Sequence, residues 1–224
     1  MKIARNLTIS LFMILFSAPL IYGQDLSKYR NFSFGMSLAE LSKQVDSNPR
    51  QTKLIHKRPA AIQELTWWPN NSSDYSLQAD PVWQIFFSFY NGELYRILVT
   101  YDRHATQGLT AEDMVQAISA QFGTATRAAA EISFSTNELY SSTEKVIARW
   151  EDSQYSINLI RSSFLDSFAL VMLSKRLDAQ AEAAIAESVK LEGQEEPQKE
   201  IEPQKKEAHN VEVVRLKNRK TFRP

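Results

Sequence analysis

The sequence predicts an α+β fold of two αβββ units with a mainly antiparallel sheet, a C-terminal helix and a disordered tail. Two helix starts carry much of this prediction. Ser37 with Glu40, and Thr110 with Asp113, have the spacing of a capping box, in which each residue satisfies the other's backbone N–H. Apolar residues then recur at helical spacing, and Gly123 follows the second helix at the position of a C-terminal cap.

Three extended segments follow each helix start. In the first unit they are Ile62–Trp68, Val82–Tyr90 and Glu93–Tyr101; in the second they are Val146–Trp150, Tyr155–Arg161 and Ser167–Leu173. Their alternating apolar residues indicate strands, and Asn91-Gly92 is the preferred dipeptide of a type I′ hairpin turn. The matching order predicts repeats over 32–104 and 105–175. A single unrepeated α+β domain over 24–192 is the alternative.

The end of the chain divides into a helix and a charged tail. Residues 175–192 carry a narrow apolar stripe, which predicts a helix that either folds back on the sheet or pairs with a second chain as a short coiled coil. Gly193 is expected to end it. Residues 193–224 are rich in Glu, Gln, Lys and Pro, a composition typical of disorder.

The N-terminus has the pattern of a secretory signal peptide over residues 1–23. Lys2 and Arg5 precede an apolar run that is too short and interrupted for a comfortable membrane span. We therefore expect an exported protein, periplasmic or secreted, with an uncleaved N-terminal anchor as the minor alternative. Membrane contact is expected only through this segment or through the basic end of the tail.

Composition narrows the classes of partner. The chain has no cysteine, so the exported domain is held together by its core without disulfides. Removing the leader with Lys2 and Arg5 leaves 24 basic and 26 acidic residues, a net charge of −2. This near-neutral balance does not favour nucleic acid, and no cofactor is expected.

The motifs argue for binding rather than catalysis. The three histidines are far apart in sequence, and no HExxH, Cys-x-x-Cys, G-x-S-x-G or phosphate-binding glycine loop is present. No metal site or catalytic residue is therefore predicted. His104 follows a strand beside Asp102, where a solvated loop explains it better than a catalytic site.

The central hairpin supplies the predicted binding residues. One face of its strands is predicted to enter the core, and consists of Trp83, Ile85, Phe87, Phe89, Tyr95, Ile97, Val99 and Tyr101. The opposite face is unusually apolar for a wet surface and includes Val82, so either another element covers it or it docks a partner. Phe86, Tyr90, Leu94 and Leu98 on this face, with Trp68 at a strand end, are the candidate partner-binding residues.

The Gly35 to Leu41 segment, Gly-Met-Ser-Leu-Ala-Glu-Leu, followed by strands, resembles the helix–β-meander units of outer-membrane assembly lipoproteins and of β-lactamase-inhibitor proteins. The resemblance covers about residues 32–175. It implies a tandem pair of such units. The chain lacks the lipid-carrying cysteine of the lipoproteins, so their membrane attachment and assembly role are not implied. The whole chain also resembles an uncharacterised family of exported bacterial proteins, which implies no activity.

The sequence as a whole predicts an exported, non-catalytic binding or envelope-assembly module that docks an unidentified protein partner of the cell envelope on a sheet face. A carrier of a small apolar ligand is the first alternative, and it requires a cavity between helices and sheet. A hydrolase whose catalytic residues are scattered along the chain is the second.

Overall fold

The computed structural model of the protein describes residues 25–45, 50–69, 80–126, 130–136, 140–162 and 167–221. The predicted signal peptide and the last three residues lie outside these ranges. The elements in chain order are β1 (Lys28–Tyr29), β2 (Phe32–Ser33), α1 (Leu38–Gln44), β3 (Arg50–His56), β4 (Ile62–Trp67), β5 (Val82–Tyr90), β6 (Glu93–Tyr101), α2 (Ala111–Phe122), β7 (Glu131–Thr136), β8 (Tyr140–Glu151), β9 (Tyr155–Ser162), β10 (Ser167–Ser174) and α3 (Lys175–Thr221). None of the described helices is long and apolar enough to cross a membrane.

Eight strands form one sheet in the order β3-β4-β5-β6-β10-β9-β8-β7, and β1 pairs with β2 in a separate hairpin. The neighbouring strands in this sheet are antiparallel. The two halves of the chain meet where β6 pairs with β10, from Arg96 opposite Leu173 to Thr100 opposite Ala169. The strand order on one side of this seam mirrors the order on the other. The α+β class, the mainly antiparallel sheet and the C-terminal helix are therefore confirmed.

Each half contains four strands after its helix, so the predicted count of three is wrong. The missed strands are β3 and β7, which form the two edges of the sheet, and β8 begins at Tyr140 rather than Val146. Gln51 to Leu54 of β3 are exposed. An edge strand is held by backbone hydrogen bonds on one side, so it does not require the alternating apolar pattern used to find strands.

Both predicted helix starts are confirmed. The Glu40 amide donates to Ser37 Oγ at 3.2 Å and the Ser37 amide to Glu40 Oε2 at 3.0 Å. At α2, the Asp113 amide donates to Thr110 Oγ1 at 3.2 Å and the Thr110 amide to Asp113 Oδ2 at 2.8 Å. Gly123 follows α2 with φ 83°, a left-handed conformation that glycine adopts without the steric cost of a side chain.

The hairpin turn between β5 and β6 is also confirmed. Asn91 and Gly92 have φ values of 50° and 85°, and a type I′ turn requires φ above zero at both central residues. The turn is anchored to the preceding loop, because the Asn91 side-chain oxygen accepts a hydrogen bond from the Ala61 amide at 3.0 Å. This turn fixes the register between β5 and β6.

A β-bulge at Tyr95 changes the predicted faces of β6. Leu94 lies opposite Phe89 and Arg96 lies opposite Ser88, so Tyr95 is an extra residue in the ladder. Leu94 consequently lies in the main core, whereas Tyr95 lies beneath α3. The predicted positions of Leu94 on the outer face and Tyr95 on the core face are therefore wrong, since a one-residue insertion reverses which side chains face which way.

A second irregularity has the same effect at the start of β5. Val82 pairs with Tyr101 and Gln84 with Thr100, which leaves Trp83 as the extra residue. Val82 is 1% exposed and Trp83 is 50% exposed. The prediction that Trp83 belongs to the core, and Val82 to the outer face, is corrected.

The main core lies on the inner face of the sheet, defined by Ile85, Phe87, Ile97 and Val99, all fully buried. The β1–β2 hairpin, α1 and α2 cover this face with the side chains of Tyr29, Phe32, Leu41, Met114, Ile118 and Phe122. Trp150 of β8 belongs to the same cluster and donates its indole N–H to the Gly123 carbonyl at 2.9 Å. Residues from both halves thus share one hydrophobic core.

The outer face is covered in part by α3. Its first turns place Leu177 and Ala181 against Ile62 and Tyr95. Helix packing on the sheet is therefore the observed alternative for this segment, rather than pairing with a second chain. The outer face is defined here by Phe86, Ser88, Arg96 and Leu98, which alternate with the core residues of β5 and β6.

Helix α3 does not end at Gly193 but continues to Thr221, so the predicted stop is wrong and the segment predicted as disordered is helical up to that residue. A glycine inside a helix costs only about 1 kcal/mol relative to alanine, and the surrounding Glu, Gln and Lys are good helix formers. Val211, Val213, Val214 and Leu216 near its end are exposed.

Candidate functional site

The five residues predicted to anchor a partner do not form one exposed surface. Leu94 is fully buried in the main core, and Tyr90 and Trp68 are half-buried. Phe86 and Leu98 are 6% and 5% exposed. These two belong to a small cluster of the outer face with Val146, Ile160, Ala169 and Val171. In this structure Phe86, Leu94 and Leu98 are therefore buried, whereas Tyr90 and Trp68 remain partly accessible.

The end of the hairpin is occupied by α3 and a buried ion pair. Tyr90 packs against the cluster of Ile62, Tyr95, Leu177 and Ala181. Arg96, 5% exposed, donates from Nε and Nη2 to Asp178 Oδ1 at 2.9 and 2.6 Å, and from Nη2 to Glu182 Oε1 at 2.7 Å. A buried guanidinium needs such partners to offset its desolvation. The pair therefore fixes α3 on the sheet.

Three side chains between β3 and α3 resemble a hydrolytic triad in composition only. Ser188 Oγ lies 2.9 Å from His56 Nδ1, and Glu192 Oε1 lies 3.3 Å from the same nitrogen. In a catalytic triad the nucleophile and the carboxylate contact opposite nitrogens of the imidazole. Ser188 is also only 2% exposed. This cluster consequently holds α3 against the edge strand, and no local pattern in the sequence predicts that these residues meet.

A pocket at the seam between the halves is the strongest candidate site. It has a volume of about 370 Å³ and lies between the β6–α2 connection and the ends of β9 and β10. We call it the cationic pocket. Its lining residues are Arg103, His104, Thr106, Gln107, Gly108, Leu109, Arg161, Ser167 and Phe168.

The β6–α2 connection is held in shape by Asp102. Its Oδ1 accepts hydrogen bonds from the backbone amides of His104 and Ala105 at 2.8 and 2.9 Å, and its carbonyl accepts one from Thr106 Oγ1 at 3.0 Å. Gly108 has φ 82°, a conformation that other residues adopt with strain. The Asp102 carboxylate therefore orders the loop by binding its backbone amides.

The basic side chains of the cationic pocket can contact an anion. Two guanidiniums, from Arg103 and Arg161, and the imidazole of His104 line it, and both arginines also interact with other groups of the protein. The Arg161 guanidinium carbon lies 5.6 Å from the centre of the Phe168 ring, within the range of a cation–π contact. Phe168 is 5% exposed and gives the pocket an apolar wall.

Sequence reasoning identified only part of this pocket. His104 was singled out, with a solvated loop as the preferred explanation, and Arg161 was not considered. Arg161 and Phe168 lie on strands β9 and β10, which reach the loop only because β10 pairs with β6. Within the described residues, no group of three or more His, Cys, Asp or Glu side chains is arranged to hold a metal ion.

Comparisons with known proteins add little to this picture. A scan of protein-family models and a search of curated proteins both found no match to this chain. Among solved structures, the chain has a remote similarity to a cysteine-rich secretory protein from Staphylococcus aureus subsp. aureus Mu50, with a TM-score of 0.34 and 9% identity over 67% of this chain and 46% of that one. The chain thus spans less than half the length of that protein, and a similarity of this size carries no argument.

Proposed function

We propose that the protein is an exported, non-catalytic binding protein of the cell envelope whose ligand is a small organic anion. The observation that carries this proposal is the convergence of Arg103, His104 and Arg161 on one pocket that has Phe168 as an apolar wall. Export rests on the signal-peptide pattern of residues 1–23.

The size and chemistry of the pocket support a ligand with one acidic group and a small apolar part. Ligand pockets typically have volumes of about 300–1,000 Å³ and combine apolar walls with a few placed polar groups, and this pocket lies near the lower limit at about 370 Å³. Guanidinium groups bind carboxylate and phosphate oxygens with charge-assisted hydrogen bonds. The acidic group would contact the arginines, and the apolar part would contact Phe168.

Binding is favoured over hydrolysis by the contacts of Asp102, the carboxylate two residues before His104 in the chain. General-base catalysis by histidine is strengthened by a third group that orients the imidazole, but Asp102 Oδ1 accepts hydrogen bonds from two backbone amides. A carrier of a purely apolar ligand is disfavoured for a different reason. Such a ligand offers no hydrogen-bond acceptor to the polar groups of Arg103 and Arg161 in the lining.

Docking of an envelope protein is the second candidate, and the exposed apolar side chains near the end of α3 favour it. Val211 and Val214 are 62% and 55% exposed. In-cell crosslinking with mass spectrometry on the wild type and on Val214→Asp tests this candidate. Capture of a specific neighbour by the wild type alone supports docking, whereas the same neighbours for both chains contradict it.

The anion proposal is tested by calorimetric titration with phenyl phosphate. This probe carries a phosphate for the arginines and a ring for Phe168, and benzyl alcohol is its neutral counterpart. We expect saturable binding of phenyl phosphate that weakens with salt, and none of benzyl alcohol. Arg161→Gln and Arg103→Gln should each weaken binding about tenfold or more, since a hydrogen bond to a charged group contributes about 1.5–3 kcal/mol.

The matched control is Arg176→Gln, which removes an exposed arginine that lies on α3 and hydrogen-bonds Gln180. It should leave the affinity unchanged. Equal loss of affinity in all three variants would mean that phenyl phosphate responds to overall charge, which contradicts a specific pocket. Release of phenol during the titration would contradict the non-catalytic assignment.

A further inference from the structure

A second cavity lies beside the β1–β2 hairpin. It has a volume of about 600 Å³ and is lined by Arg30, Asn31, Phe32, Gln44 and Trp67. We call it the aromatic cleft. The tip of the β1–β2 hairpin, the last residue of α1 and the last residue of β4 form its walls. The described linings of the two cavities share no residue.

The aromatic part of the cleft is rigidly supported. The Phe32 ring meets the Trp67 ring edge-on, with centroids 5.5 Å apart, and the Phe87 ring lies 6.5 Å from Trp67 at an interplanar angle of 28°. Trp67 remains half-buried, so part of its side chain is accessible from the cleft. Its indole N–H is buried and has no hydrogen-bond partner among the described residues, which is uncommon for a buried tryptophan.

Arg30 is held at the cleft in an unusual backbone conformation. Its φ is 54°, in the left-handed region that residues other than glycine, asparagine and aspartate rarely adopt. Its guanidinium forms a two-pronged pair with Asp80, at 2.6 Å between Nη1 and Oδ2 and 2.7 Å between Nη2 and Oδ1. A strained backbone conformation persists only where the surrounding structure holds it in place. Such residues are found most often at functional sites.

This pair leaves the described lining of the cleft without net charge. Burial alone raises the pKa of the Asp80 carboxyl, but the hydrogen bonds from Arg30 and from the Val82 amide outweigh burial and lower that pKa on balance. Asp80 therefore stays ionised and neutralises Arg30. The other polar lining groups are the neutral side-chain amides of Asn31 and Gln44, both exposed. An anion gains little here, in contrast to the cationic pocket.

We propose that the aromatic cleft binds a neutral oligosaccharide. A sugar ring presents an apolar C–H face together with hydroxyl groups. The indole ring of Trp67 offers a large, rigid apolar surface with an electron-rich face, which can pack against the C–H face of a sugar. The side-chain amides of Asn31 and Gln44 can donate hydrogen bonds to sugar hydroxyl groups and accept hydrogen bonds from them. The Arg30 guanidinium, held in place by Asp80, supplies further N–H donors at a fixed position. The described lining of the cleft combines these groups, and Asp80 balances the charge of Arg30.

The test is calorimetric titration of the full mature chain with three neutral tetrasaccharides: chitotetraose, cellotetraose and maltotetraose. We expect saturable binding of at least one, with a Kd of about 1 mM or tighter, that changes little between low and high salt. Gln44→Ala removes an exposed side chain at the end of α1 and should weaken that binding several-fold without altering the melting temperature. Trp67→Phe should weaken it about tenfold or more.

Two controls make the result specific. Trp83→Phe alters a tryptophan that is 50% exposed and outside the cleft, and Gln107→Ala alters an amide of the cationic pocket; both should leave sugar binding unchanged. Saturation-transfer NMR on Trp67→Phe, together with its circular dichroism, separates lost binding from lost folding. Absence of saturable binding by all three sugars, or equal binding by wild type, Gln44→Ala and folded Trp67→Phe, would overturn the proposal.

Discussion

Two single residues, Trp83 and Tyr95, determine which side chains of the central hairpin reach the main core. Each is the extra residue of a bulge, so the alternation of faces shifts by one at that point. Leu94 enters the core as a result, and Tyr95 turns towards α3. The apolar outer face that remains, around Phe86 and Leu98, is buried.

Truncation of Phe86 is therefore predicted to lower stability. Phe86→Ala should reduce the free energy of unfolding by about 3–5 kcal/mol, the usual cost of deleting a buried phenylalanine side chain, as measured by urea denaturation. Trp83→Ala, at a side chain that is 50% exposed, is the control and should cost much less. Unchanged stability of Phe86→Ala would contradict the burial described here and would restore Phe86 as an available anchor.

The Arg30–Asp80 pair predicts a pH-dependent contribution to stability. The pKa of Asp80 lies below its ordinary value of 3.8, so the folded state binds fewer protons than the unfolded state in this region. The contribution, about 1 kcal/mol or less for a partly exposed pair, is present above the ordinary pKa and disappears as pH falls through the lower pKa of the folded state. The melting temperature of the wild type should exceed that of Asp80→Asn at pH 6.

The same comparison at low pH provides the check. Because both chains carry a neutral side chain at position 80 once Asp80 is protonated, the gap in melting temperature should narrow as pH falls below the ordinary pKa of 3.8 and close when Asp80 is protonated in the folded state. A gap that stays constant between pH 6 and pH 2 would contradict an ionised, paired Asp80.

At the scale of single residues, the sequence predicts features whose partners are nearby along the chain. Ser37 with Glu40 and Asn91 with Gly92 could be recognised because their geometry depends on a few consecutive residues. The bulge at Tyr95 could not, because a strand with one extra residue still reads as an alternating apolar run. The meeting of His56 with Ser188 depends on how α3 crosses the sheet and has no local signal.

At the scale of elements, α3 consists of two parts with different support. Its first turns are held by Leu177 and Ala181, by the Arg96 ion pair and by the His56 cluster. Beyond Gly193, Pro197 and Pro203 have no backbone N–H, so each removes a helical hydrogen bond at a cost of about 3 kcal/mol or more. The charge and proline content of this segment predict disorder. Nothing in its sequence indicates that α3 continues for 47 residues, a length of about 70 Å.

Removal of residues 194–224 should therefore leave the folded body intact. We expect the melting temperature of the shortened chain to lie within about 2 °C of the full chain, because the side chains described in the deleted segment are exposed. In hydrogen exchange of the full chain, amides of residues 177–189 should be protected far more than those of residues 206–221. A large drop in melting temperature on truncation would contradict this division of α3.

At the scale of the whole molecule, the seam between β6 and β10 joins two similar halves into one core. Phe87 from the first half and Trp150 from the second belong to the same buried cluster. A chain of residues 25–107 alone should thus fail to fold, since β6 would become an open edge and the shared core would lose one side. Circular dichroism and size-exclusion chromatography provide the measurement. A folded, monomeric half would contradict the single-core description.

The seam also creates the cationic pocket, which explains why sequence reasoning found only part of it. His104 and Arg103 follow β6, and Arg161 and Phe168 lie beside them only through the β6–β10 and β9–β10 pairings. The sequence predicted the fold class, the helix starts and the hairpin. It did not predict which strands of the two halves would be neighbours, and the pocket depends on that pairing.

Amide chemical-shift mapping with phenyl phosphate tests the central claim most directly. In a titration followed by two-dimensional NMR, the amides of Thr106 to Leu109 and of Phe168 should shift in a saturable manner, while those of Asn31 and Gln44 at the aromatic cleft should not move. Arg161→Gln should abolish the response without altering the rest of the spectrum. Shifts scattered over basic surface residues, or none at the seam, would contradict an anion site between the two halves.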